Sequence, residues 1–264
     1  MKKLALVLGG GATKGYAHIG VLKVLEENGI KPDLIVGTSM GAIIGGAYAC
    51  GKTCEHLNEI SKRLTRKNLM DFNLFNPFFT TAVFSGKKLR KLLYREIGDI
   101  THSQTAIPFV AVATNLDTGK LEIIKEGSVV DSMLASSAIP GVFPIIEHES
   151  GNLCDGGVLN NVPDDVAKKL AKNYIILSID VIADYAKQVE NSALKILGVT
   201  INAITLMQTE ITRSKRNNSD LTIKVSQPDV AQMSFDEESA SKSIQYGAKA
   251  MSRNITKLKK LLED

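Results

Sequence analysis

The chain of 264 residues predicts an α/β fold with a mostly parallel sheet covered on both faces. Three observations carry that prediction. Short, continuously apolar runs recur at Leu4–Leu8, Leu34–Val36, Phe109–Ala113, Leu121–Ile124, Tyr174–Ile179 and Leu221–Val225, as strands buried on both faces do. Helix-like segments separate many of them, around 15–28, 41–50, 54–66, 86–96, 128–138 and 162–172, and strand–helix alternation builds parallel sheets. The turn Asp117-Thr118-Gly119-Lys120 allows Leu121–Ile124 to fold back antiparallel on its predecessor.

The first strand, Leu4-Ala5-Leu6-Val7-Leu8, runs into GGGATKG (Gly9 to Gly15) and then an amphipathic helix, AHIGVLKVLEENG. Glycines at a helix start leave backbone N–H groups free and let an anion approach the main chain. A dinucleotide-binding turn would want an acidic residue at the end of the second strand. That strand ends instead in Gly37-Thr38-Ser39, with Asp33 at its beginning. The opening MKKLALVL imitates a signal peptide, but its apolar run stops at Leu8, short of the roughly 7–15 residues an h-region needs.

The second strand leads into Gly37-Thr38-Ser39-Met40-Gly41, and Ala42 to Ala49 is small, apolar and free of proline. Glycines two residues either side of a serine permit a sharp strand-to-helix turn that lifts the hydroxyl above the sheet. Gly37, Thr38 and Gly41 therefore frame Ser39 as a candidate nucleophile. The N–H groups of Gly9, Gly10 and Gly11, with that of Met40, are candidate oxyanion donors. Gly46 to Thr53 spells the phosphate-loop pattern, but it falls inside and after the helix behind Ser39, and Gly51 suits that helix's C-terminal stop.

A base for Ser39 must come from elsewhere. Hydrolases of the elbow type order their triad serine, acid, histidine. The histidines are His18, His56, His102 and His148, and none follows Asp155 in Cys154-Asp155-Gly156-Gly157. A triad in that order is excluded, which leaves a carboxylate acting directly on the serine. Asp155 is the favoured base because Gly156 and Gly157 allow close approach of backbone to the serine loop, and Asp180, at the end of a strand, is its rival.

With Gly9-Gly10-Gly11 through Lys14-Gly15, Gly37-x-Ser39-x-Gly41, ASSAIPGVFP (Ala135 to Pro144) and DGGVLNNVP from Asp155, the chain resembles bacterial patatin-like phospholipases. The motifs fall in order across residues 4 to about 168. The resemblance implies a three-layer α/β/α fold, a serine–aspartate dyad of Ser39 and Asp155, and hydrolysis of lipid acyl esters of the phospholipase or lysophospholipase type; with no metal cluster visible in the sequence, neither a metal nor another cofactor is expected. Acyl transfer, thioester cleavage and non-catalytic lipid binding are the alternatives. Bacterial members usually carry arginine where this chain has Lys14. Lysine keeps the charge without the planar fork, and Lys14 either meets a lipid head group or solvates the helix start.

Composition bounds the rest. A net charge of +4 is too weak to argue nucleic-acid binding, and it is compatible with peripheral contact at the inner membrane face. Cys50, Cys54 and Cys154 make an odd set that suits a reducing cytoplasm rather than a disulfide framework. No run approaches the ~18 apolar residues of a membrane span. The chain reads as one domain, 1–264, with a helical portion from about 190 to 264. From Ala240, Ile244, Ala248, Met251, Ile255, Leu258 and Leu262 keep helical spacing, as a surface helix packed on the sheet would. Five of the eight phenylalanines, Phe72, Phe75, Phe78, Phe79 and Phe84, crowd around Asn73, Asn76 and Pro77, forming either a loop folded on the core or a flap over the serine.

Overall fold

The structure, a computed structural model, describes residues 2–69, 71, 82–182, 195–215 and 217–263. Its centre is an eight-stranded sheet in the order β5-β6-β3-β2-β1-β7-β8, with β4 paired to β3 off that path. The strands are β1 (Leu4–Leu8), β2 (Leu34–Thr38), β3 (Phe109–Asn115), β4 (Lys120–Ile124), β5 (Ile146–His148), β6 (Gly151–Asp155), β7 (Ile175–Asp180) and β8 (Leu221–Lys224). Pairing is parallel from β3 through β2, β1 and β7 to β8. It is antiparallel where β4 and β6 join β3 and where β5 joins β6.

β5 and β6 have no counterpart among the expected strands. Gly151-Asn152-Leu153-Cys154-Asp155 carries a glycine and two polar residues in five, so it lacks the apolar run by which a central strand is read.

Helices cover both faces of the sheet: α1 (Ala17–Glu27), α2 (Met40–Ala49), α3 (Cys54–Arg63), α4 (Arg66–Leu69), α5 (Lys87–Ile97), α6 (Val129–Ser136), α7 (Asp164–Leu170), α8 (Lys195–Ser214), α9 (Glu237–Ser252) and α10 (Ile255–Glu263). One apolar cluster holds Leu6, Leu8, Ile35, Ala111 and Leu177 with side chains of α1, α2 and α6, and a second holds Val7, Val36, Val112 and Ile176 with α7. Alternate residues of the same strands thus face opposite layers.

α2 is apolar all round and entirely buried. It ends at Gly51, φ +86°, where Gly51 N–H donates to Tyr48 O and Lys52 N–H to Ala47 O. That is a Schellman stop, so the phosphate-loop lettering spans a helix end. The helix expected from Ala240 breaks at Arg253-Asn254 into α9 and α10. α9 lies mainly on α1 and touches the sheet at β8. A Cβ on Gly20 would stand 1.9 Å from Ile244 O, and one on Gly247 would stand 1.9 Å from Ala17 O, so two glycines let the helix backbones touch. Phe84 is buried and its ring lies 6.1 Å from that of Phe143; the rest of the phenylalanine cluster lies outside the described residues.

Candidate active site

β2 delivers Ser39 to the start of α2 in a conformation few side chains adopt, φ +53° and ψ −124°. The turn is compressed on all sides. A Cβ on Gly37 would stand 2.6 Å from Ala42 Cα, and one on Gly41 would stand 2.1 Å from Leu8 O, distances no side chain tolerates. The glycines thus allow α2 to cross β1 at backbone contact, and the strained serine is held there at a cost of about 1–3 kcal/mol. Thr38 Oγ1 donates to Asn160 O at 3.0 Å.

β3 aligns this turn with the acid. Val112 pairs with Thr38, and the next residue, Ala113, pairs with Asp155. Two strand ends therefore meet within one residue of register. Asp155 is 2% exposed, and its Oδ1 accepts Gly157 N–H at 2.7 Å. Burial pushes its carboxyl up to about 6, against the opposing hydrogen bonds from the Ser39 hydroxyl and Gly157 N–H.

The two glycines after Asp155 serve a different purpose from the one expected. A Cβ on Gly156 would stand 2.2 Å from Val112 O, so the close approach is to β3. A Cβ on Gly157 would stand 2.5 Å from Gln208 Nε2 and 2.9 Å from Asp155 Oδ1, so Gly157 keeps open the space in front of the acid.

The expected donor set is narrower than the sequence suggests. Gly9 N–H donates to Ile179 O at 3.0 Å and Gly10 N–H to Asn161 O at 3.1 Å. Both hold the loop in place and neither is available to an oxyanion. Among the described residues, Gly11 N–H and Met40 N–H donate to no protein acceptor. Lys14 is buried at 6% exposure and its carbonyl accepts from Gln227 Nε2; it does not solvate the helix start.

Asp180 lies apart. It borders a second cavity with Asp164, Arg213, Lys215 and Lys224, whereas Ser39 and Asp155 share a cavity with Gly11, Asn161, Thr205 and Gln208. No histidine lines that shared cavity among the described residues. His18 Nε2 bonds Gly9 O at 2.7 Å, and burial lowers the ring to about 4, so it is a neutral brace behind the glycine loop. His102 bonds Phe109 O and Ser132 Oγ, and His148 bonds Ser150.

Sequence reasoning missed three contributors. Ser136, fully buried at the end of α6, donates to Val112 O at 2.6 Å and accepts Ser39 N–H at 2.9 Å, tying the elbow to β3. Asn161 clamps the glycine loop through Nδ2 to Gly10 O at 3.2 Å. α8 closes the cavity with Ile201, Ile204, Thr205 and Gln208, leaving about 20 Å³, room for roughly one water. Ser136 and Asn161 sit within stretches that carry the family resemblance. α8 lies beyond all of them and has no motif to mark it.

Groups of histidine, cysteine and carboxylates able to hold a metal are absent among the described residues, and no described helix is long and apolar enough to cross a membrane.

Residues 6–168 match the family described as patatin-like phospholipase. Patatin-like phospholipase domain-containing protein 6 of Mus musculus is 34% identical over 184 residues, which cover 67% of this chain and 13% of the mouse protein. An uncharacterized NTE family protein of Mycobacterium bovis is 36% identical over 162 residues, 61% of this chain and 44% of that protein. The chain thus spans well under two thirds of the length of the relatives it matches. In fold it is similar to VipD from Legionella pneumophila, with a TM-score of 0.53, 14% identity and coverage of 94% of this chain and 67% of the other. The chain belongs to the patatin-like phospholipase family.

Proposed function

From that membership we propose that the chain is a serine acyl hydrolase of lipid carboxylic esters, with Ser39 as nucleophile and Asp155 as its base. The observation that carries the proposal is the strained Ser39 facing a buried carboxyl raised to about 6, in a cavity lined by no histidine among the described residues. A carboxylate raised toward neutrality is a competent proton acceptor near pH 7, because general-base efficiency peaks when the pKa lies close to the working pH.

In the proposed mechanism Ser39 Oγ attacks the ester carbonyl while its proton passes to Asp155. Gly11 N–H and Met40 N–H, which lack acceptors among the described residues, hold the developing oxyanion, and the N-terminus of α2 adds its positive end. The alcohol leaves with the proton, and water then releases the fatty acid from the acyl-enzyme. Glycerophospholipids and lysophospholipids are the proposed substrate class. Within the scheme the portion from α8 to α10 belongs to the same domain as the motifs, a reading supported by β7 and β8 in the shared sheet and α9 on α1.

A peripheral contact with anionic lipid at the inner membrane face is part of the proposal. Exposed Arg66 and Lys67 of α4 and Lys87, Lys88, Lys91 and Arg95 of α5 support it, with α4 and α5 joined by Lys88 Nζ to Lys67 O. A cytoplasmic location is supported by the three unpaired thiols.

Labelling with an activated fluorophosphonate tests the nucleophile: the adduct is expected on the Ser39 peptide. A panel of phospholipids, lysophospholipids, acylglycerols and acyl thioesters then reads the substrate class. Absence of both labelling and ester turnover would sink the proposal.

A further inference from the structure

Asn161 is 2% exposed, just before α7. Its main-chain oxygen accepts Gly10 N–H, and its Nδ2 donates to Gly10 O at 3.2 Å. The second bond fixes which end of the amide is nitrogen. The other end, Oδ1, is buried and meets no donor among the described residues. It points to the catalytic cavity. A Cβ on Gly157 would stand 2.9 Å from both Asn161 Oδ1 and Asp155 Oδ1, and one on Gly10 would stand 2.5 Å from Asn161 Oδ1 and 3.1 Å from Ser39 Cβ. Acceptor, acid and serine therefore converge on a space that two glycines keep clear. A buried acceptor left unpaired is destabilising, so this oxygen favours a partner that brings a hydrogen.

We propose that Asn161 Oδ1 orients the water of deacylation and thereby selects water over alcohols as acyl acceptor. This inference rests on the acyl-enzyme reading above. The water oxygen forms its bond to the acyl carbon as the bond from Ser39 Oγ to that carbon breaks. One water proton passes to Asp155 and from there to Ser39 Oγ, and the fatty acid leaves. The other water hydrogen donates to Asn161 Oδ1. An alcohol has a single O–H, which Asp155 takes, so its carbon substituent is set against Oδ1 and the acceptor stays unpaired. The discrimination equals the worth of about one hydrogen bond, roughly three- to tenfold.

The test is product partitioning. The enzyme is acylated from a p-nitrophenyl ester in rising methanol, and the ratio of free acid to methyl ester is measured for wild type, Asn161→Leu, Asn161→Ala and Asn161→Asp. The ratio is read only from molecules that form the acyl-enzyme, which the initial burst counts, so partial misfolding of one variant does not distort it. Asn161→Leu and Asn161→Ala are expected to shift products toward the methyl ester by about three- to tenfold, while Asn161→Asp, which keeps an acceptor oxygen, stays near the wild-type ratio. An unchanged ratio in the Leu and Ala variants, or an equal shift in all three, overturns the inference and leaves the acyl-enzyme reading standing. A wild type with no burst and no label on Ser39 overturns both.

Discussion

On the floor of the cavity the main chain is pressed into contact. Gly41 lies against Leu8 O, Gly156 against Val112 O and Gly9 against Ile179 O, and Ser39 is held at φ +53° between them. On the roof, α8 meets the site through side chains, with Thr205 Oγ1 donating to Gln232 Oε1 at 3.0 Å. Its outer surface leaves Val199, Leu206 and Met207 exposed. The floor is built of backbone, with no slack in it. The roof is a helix that meets the site through side chains, over a space of about 20 Å³, smaller than any lipid acyl chain. On the proposed mechanism, the difference assigns chemistry to main chain in contact and access to the side chains of α8.

The sharpest way to break that assignment is at Ser39. Ser39→Gly should lower esterase turnover by roughly 10⁵–10⁶-fold, as loss of a serine nucleophile does. It should also stabilise the fold by about 1 kcal/mol, because glycine accepts the positive φ. A rate within tenfold of wild type, or a lower melting temperature, would show that the floor neither holds the nucleophile nor stores strain there.

Asp155→Asn is next, with an expected loss of about 10²–10⁴-fold and slow, weak bursts from a chromogenic ester. Asp180→Asn, in the other cavity, gives the contrast. Wild-type kcat/KM should fall about tenfold per unit as pH drops below about 6, where Asp155 gains its proton. Stability has its own sign. A folded pKa raised from 3.8 to about 6 means that this group's favourable contribution is present below 3.8 and is lost as pH rises through about 6. The Asn variant should therefore be more stable than wild type at pH 7.5, by on the order of 3 kcal/mol, and the gap should close by pH 3.8. Urea midpoints across that window check it.

His18 reverses the direction within the same floor. Its pKa is lowered from 6.5 to about 4 by burial, so its contribution is present above 6.5 and is lost as pH falls toward 4. Wild type should lose stability across that window, and His18→Gln should lose less, with turnover still measurable. Loss of activity matching that of Ser39→Gly would contradict the dyad.

The roof should be the most forgiving. Thr205→Val removes its bond to Gln232 and should change turnover of a short-chain ester by no more than about threefold, with about 1 kcal/mol of stability. A larger fall, seen in initial rates, would move α8 from access into the chemistry.

The same division explains what could be read in advance. The floor is local: strand, glycine loop, strand, elbow, then Asp155 with two glycines, each marked by residues that nothing else can replace. The rest depended on tertiary context. That Gly9 and Gly10 spend their N–H groups on Ile179 and Asn161 follows from strands and loops 150 or more positions away, roughly, as counted along the chain. β6 was illegible because its pairing with β3 tolerates polar residues. α8 carries apolar side chains on both its inner and outer surfaces, so its role as a roof shows only once the sheet has placed it.

Gly20 and Gly247, where α1 and α9 touch backbone to backbone, bear on the order of synthesis. α1 follows directly on the glycine loop, yet the helix that covers it is translated more than 200 residues later, on the order of ten seconds or more at ordinary elongation rates. During that interval the apolar flank of α1 lacks its cover, and β1 also lacks β7 beside it. The glycine loop is thus made well before the helix that locks α1 in place, and the nascent chain has a long window in which that flank must be kept from aggregating.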